Sequence, residues 1–78
     1  MKWIDEYVFD EIKISQMSQQ DCSCITATIR NAATDSDRFD RAMKLLITHL
    51  LNRGIAKRHG TGLNLQTFLK RVNEQARA

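Results

Sequence analysis

Apolar residues recur at helical spacing along much of this chain, and most clearly in residues 34–54, TDSDRFDRAMKLLITHLLNRG. Phe39, Met43, Leu46, Ile47 and Leu50 fall on one stripe of a helix, widened by Ala42 and Leu51, and that stripe predicts a core-facing side. Thr34, Asp35 or Ser36 can accept hydrogen bonds from the first free N–H groups, and Asp35, Asp37 and Asp40 place negative charge at the positive end of the helix dipole. Gly54 is suited to the left-handed closure of a helix, with Ile55 set to pack back on the last turn. The pattern predicts a helix over 36–53. Its opposite face carries Arg38, Arg41, Lys44, Thr48 and Asn52, with Leu45 among them.

Two periods compete before this helix. Trp3, Ile4, Tyr7, Val8 and Ile12 match a helical stripe, so a helix near 2–13 is preferred, although Phe9 then falls off the stripe and Glu11 into it. Tyr7, Phe9, Ile12 and Ile14 also suit an irregular strand. Residues 15–21 are polar and read as a connector, with Ser18 and Asp21 spaced as a capping-box variant. A helix near 19–32 follows, with Cys22, Ile25, Ile29 and Ala32 or Ala33 on one side; its β-branched run leaves a strand as the alternative. After the long helix, Gly60-Thr61-Gly62 is the strongest turn signal in the chain. Residues 55–59 and 63–67 could form a hairpin around it, but Asn64 is a good N-cap and Leu65, Phe68, Leu69 and Val72 have helical spacing. A last helix near 65–76 is therefore expected. The fold class is mainly α: one small four-helix domain over residues 1–78, with at most one short, wing-like β-hairpin around residues 55–67.

Size and charge narrow the classes. A chain of 78 residues buries about 60% of the surface its unfolded form exposes, so the core is thin. With 42% apolar residues it reads as globular. No run approaches the roughly 20 apolar residues of a membrane span, and the opening MKWIDEYVF lacks the pattern of a signal peptide, so a cytoplasmic location without membrane contact is expected. The net charge of +3 conceals a gradient. Residues 1–21 hold two lysines against five acids, residues 22–52 four cations against three acids, and residues 53–78 six cations against one acid, giving −3, +1 and +5. Such polarity suits a polyanion bound through the C-terminal half, or attraction between copies.

Reactive chemistry is weakly indicated. Asp5, Glu6, Asp10 and Glu11 lack a nearby base or metal partner and read as a solvated acidic face. Cys22 and Cys24 with His49 and His59 make four soft ligands, but C-x-C and two histidines ten residues apart are not the spacing of zinc modules. Reduced thiols are the simpler reading. Gly60 and Gly62 lack the Lys-Ser/Thr that follows a phosphate-cradling loop. No nucleophile, base and orienter set stands out, so neither enzymatic activity, nor a cofactor, nor a metal is expected.

Two binding functions remain. A polar connector before a Thr-rich helix is similar in outline to a helix-turn-helix, and a helix followed by a basic turn resembles the wing of a winged-helix domain; both likenesses are generic. The first reading is therefore a DNA-binding protein or transcriptional regulator. Its phosphate contacts would come from Arg38, Arg41, Lys44, Arg53, Lys57, Arg58, Lys70 and Arg71. The second is a protein-interaction module: a homodimeric adaptor, or a small inhibitor of the kind mobile elements and phages encode, meeting its partner through Trp3, Phe9 and Leu45. A homodimer is expected on either reading, because so short a chain covers only part of its apolar stripe.

Overall fold

A computed structural model describes residues 2–77, apart from the side chain of Lys2. A 3-10 helix, Lys2–Glu6, opens the described chain, followed by β1 (Val8–Phe9), α1 (Glu11–Ser15), α2 (Gln19–Ala32), α3 (Ser36–Asn52), β2 (Ala56–Lys57) and α4 (Leu65–Arg77). The mainly α architecture with a short antiparallel pairing stands as read from the sequence. α2 packs against both α3 and α4 and is the middle helix.

Each long helix starts on a cap that the sequence supplies. Ser18 accepts from the Asp21 N–H (3.0 Å), and Asp35 accepts from those of Asp37 (3.0 Å) and Arg38 (3.3 Å). Asn64 caps α4 by accepting from Thr67 (2.8 Å). The β-branched run in α2 is accommodated by hydroxyls that bond back one turn, Thr26 to the Cys22 carbonyl and Thr28 to that of Cys24. That resolves the helix-or-strand alternative there in favour of helix. α3 ends as its glycine predicts: Gly54 has φ +71°, its N–H bonds the Leu51 carbonyl, and the Ile55 N–H reaches back to Leu50.

The expected helix over 2–13 does not form as one piece. It is split at Tyr7–Asp10, where the chain becomes extended, and Asp10 then caps a separate short helix by accepting from Ile12 (2.9 Å) and Lys13 (3.2 Å). The reason is Phe9, the residue that the helical stripe left out. It is 1% exposed, and its ring stacks on Phe68 with centroids 4.2 Å apart. A surface role for Phe9 as a partner contact is thereby corrected. Its backbone is also engaged on both edges: it lies opposite Ala56 in the β1–β2 pair and exchanges two hydrogen bonds with Leu63 (2.9 and 2.8 Å).

The turn around residues 60–62 therefore does not fold residues 55–59 onto 63–67. Both flanks approach Phe9 instead, one on each side, and the Asn64 cap carries residues 65 onward into α4. Gly62 makes this approach possible, since a Cβ there would lie 2.7 Å from the Phe9 carbonyl oxygen. The core above this junction joins Phe9 and Phe68 to Cys22, Met43, Leu50 and Val72, all buried. Phe39, read as core, is half-buried at its margin.

Trp3 is also half-buried, and it docks the opening helix on α3. Its indole N–H donates to Asp40 Oδ1 (3.0 Å), while Lys44 bonds Oδ2 of the same carboxylate (3.0 Å) and lies over the Trp3 ring. Trp3 thus serves an internal contact. The hydrogen bonds from Lys44 first, and from Trp3 second, hold the Asp40 carboxyl below the ordinary aspartate range.

Two outcomes follow for stability. Phe9→Ala removes a buried ring and is expected to cost about 3 to 5 kcal/mol in urea unfolding, whereas Leu45→Ala on the open face of α3 should change it by less than about 0.5 kcal/mol in dilute, monomeric protein. For Asp40, a depressed folded pKa means that the ionised carboxylate stabilises the fold above the ordinary value and loses that contribution as pH falls through the folded one. The melting temperature of Asp40→Asn should lie below that of the parent near neutrality, and the gap should close on acidification below about pH 3.9.

Candidate functional site

The eight cations expected to face a polyanion do not form one array. Lys44 pairs with Asp40 (3.0 Å), Arg53 with Asp21 (3.5 Å), Arg58 with Glu6 (3.8 Å) and Arg71 with Glu11 (2.6 Å). These pairs are solvent-exposed and add little stability, but each sets a negative charge beside a positive one and weakens its outward field. The acidic N-terminal third thus meets the basic C-terminal third within one molecule. Arg38, Arg41, Lys57 and Lys70 have no carboxylate partner among the described residues.

Lys70 belongs to a stripe that sequence reasoning missed. Gln66, Lys70, Asn73 and Arg77 follow at steps of four, three and four, so they form a single line along α4. Lys70 and Asn73 line a shallow groove of about 300 Å³ between α4 and α2, opposite Thr26 and Ile29. Gln19 at the start of α2 donates to the Ala76 carbonyl near the end of α4, which sets the two helices antiparallel. Arg30, one turn beyond Thr26, therefore lies toward the start of α4, about 16 Å along α2 from Gln19. Arg30 and Arg77 are exposed and, like Lys70, have no ion pair among the described residues.

The resulting edge carries three cations interleaved with amides and a hydroxyl. Glu74, the one acid of α4, stands one turn from both Lys70 and Arg77 but holds no ion pair with either, and it lines a cleft shared with Glu11, Ile12 and Arg71. Lys70 and Arg77 are about 10 Å apart along the helix axis, within a Debye length at physiological salt, so their fields add. The signal was present in the sequence as a polar line on a helical wheel. It was not selected, because only the packing of α2 shows which cations remain uncompensated.

The other side of α2 carries a second groove. A groove of about 360 Å³ runs between α2 and α3, lined by Met17, Cys24, Ile25, Thr28, Ala42, Leu45, Leu46 and His49, with the Asp21 and Arg53 pair at one end. Leu45 is 74% exposed on its rim. Of the three residues expected to meet a protein partner, Leu45 alone offers an open apolar surface.

The two thiols share no site. Cys22 is buried and its pKa is raised, by desolvation first and by the charge of Asp21 second, while Cys24 is exposed on the α2–α3 groove. On a helix, residues two apart point to different faces, as these do. Among the described residues no three His, Cys, Asp or Glu side chains converge as metal ligands, and no described helix is long and apolar enough to cross a membrane.

No family model, curated protein or solved structure matches this chain. In dilute protein a charged thiol reagent is expected to modify Cys24 in the folded state and to reach Cys22 only in denaturant. Mass spectrometry of the labelled peptides checks the order, and equal labelling under native conditions would contradict the burial described above.

Proposed function

We propose that this chain is a small, non-enzymatic DNA-binding protein that meets the phosphate backbone with α4 and the adjoining edge of α2. The observation that carries this reading is the line Gln66, Lys70, Asn73 and Arg77, with Arg30 beside it, whose cations hold no ion pair among the described residues, while Arg53, Arg58 and Arg71 are each paired with an acid. Lys70, Arg77 and Arg30 would displace condensed counterions from the duplex. The amides of Gln66 and Asn73 add donors and acceptors that can bond phosphate oxygens or base edges.

The geometry suits a backbone contact. α4 has 13 residues and is about 20 Å long, so its exposed line spans several phosphates of one strand. Glu6, Glu11 and Asp21 are each held by an arginine, Arg58, Arg71 and Arg53, none of which belongs to the proposed line. Relative to the sequence-level expectation, Lys70 is kept, Arg30 and Arg77 are added, and Arg53, Arg58 and Arg71 become secondary because each has an internal partner.

Fluorescence anisotropy with a random-sequence duplex tests the reading. Across about 50 to 200 mM salt, log K should fall with log salt with a slope near −3, about −0.9 for each phosphate neutralised. Arg30→Ala, Lys70→Ala and Arg77→Ala should each flatten that slope by about one, and Arg58→Ala and Arg71→Ala by clearly less. Absence of binding at about 50 mM salt, or an unchanged slope in the triple variant, would overturn it.

A further inference from the structure

We propose that the α2–α3 groove is the interface of a homodimer, in which α3 packs antiparallel against α3 of a second copy with Leu45 at the two-fold axis. An isologous contact requires one patch that is complementary to itself, a projection and a recess on the same face. This face has both: Leu45, 74% exposed, stands at the edge of a recess of about 360 Å³ floored by Met17, Ile25, Ala42 and Leu46. Leu46 is 9% exposed and Ala42 half-buried, so a leucine seated there would meet apolar carbon on several sides.

Charge selects this occupant and this orientation. In an antiparallel pair centred on Leu45, a residue n places before it faces one n places after it, so Arg38 faces Asn52 and Arg41 faces His49. The free cations of each N-terminal half thus meet the C-terminal half of the other helix, where exposed Thr48 and Asn52 are uncharged and the helix dipole is negative. The cation at that end, Arg53, is already held by Asp21. A parallel pair would set Arg38 against Arg38 and Arg41 against Arg41. The pattern along α3 therefore suits its own antiparallel copy, and it does so independently of whether DNA binds the α4 edge.

The test uses the full chain. Light scattering in line with size exclusion, at high micromolar concentration and moderate salt, should give twice the 9.0 kDa chain mass. Leu45→Arg, which places two like charges at the axis, should weaken dimerisation by more than about tenfold, as expected for a central interface residue. Its far-UV circular dichroism, and its melting at concentrations where the parent is monomeric, should stay close to those of the parent, because Leu45 is exposed in the monomer. Leu51→Arg, on a different side of α3, should leave the dimer intact. In a Cys24→Ser background, Leu45→Cys should form a disulfide-linked dimer under mild oxidation, and Leu51→Cys should not. A mass near 9.0 kDa at every concentration, equal loss in the Leu45 and Leu51 variants, or crosslinking through residue 51 instead of 45 would each overturn the proposal.

Discussion

Phe9 is held from three directions, and the placement of every other element can be traced to it. Its ring stacks on Phe68 and so fixes the depth and rotation of α4. Its backbone lies between Ala56, just after α3, and Leu63, just before α4. One residue thereby ties the beginning of the chain to the exit of one helix and the entry of another. Burying a phenylalanine contributes about 1.5 to 3 kcal/mol, against a total of about 5 to 15 kcal/mol for a folded domain. In a chain with so thin a core, that share is large, and the pairing of backbone groups at the same residue makes the contribution depend on register as well as on area.

The second organising fact is the position of α2 between α3 and α4. A middle helix creates two grooves, and the sequence fills them differently. Toward α4 an apolar floor of Ile25, Ile29, Leu69 and Val72 is edged by Thr26, Lys70 and Asn73; toward α3 the groove is apolar, with one exposed leucine on its rim. Ion pairing divides the cations further, since Glu6, Glu11 and Asp21 hold Arg58, Arg71 and Arg53, while Arg30, Lys70 and Arg77 on one side of α2, and Arg38 and Arg41 on α3, stay unpaired among the described residues. A duplex on one side of α2 and a second copy on the other would not compete for the same residues. In a two-fold assembly the two α4 edges would act on one ligand, which raises effective affinity without any further contact.

What could be read in advance was whatever is written locally. Ser18, Asp35 and Gly54 announced the ends of α2 and α3, and the stripe of Met43, Leu46, Ile47 and Leu50 its buried side, because caps and periodicity need only neighbouring residues. The N-terminal segment was illegible for the opposite reason. Its helical stripe is real, but Phe9 gains more from Phe68, Ala56 and Leu63 than a helix there could return, and those partners lie at the other end of the chain. The same limit applied to the charges. Eight cations could be listed from their positions, yet which of them keep an outward field depends on Asp21, Glu6 and Glu11 arriving beside three of them in three dimensions; only the Asp40–Lys44 pair, four residues apart on α3, is local.

The junction at Phe9 also has a meaning for synthesis. Gly62 and Leu63 leave the ribosome long after Phe9 does, by about 3 to 10 s at ordinary elongation rates. Throughout that interval Tyr7, Val8 and Phe9 form an apolar stretch with both strand edges open, a template for pairing with other nascent chains. Asp5, Glu6, Asp10 and Glu11 flank it on both sides. Their charge repels like copies and so protects the stretch until its partners are made. The acids on either side of β1 would thus have a use in the unfinished chain that is separate from their ion pairs in the finished one.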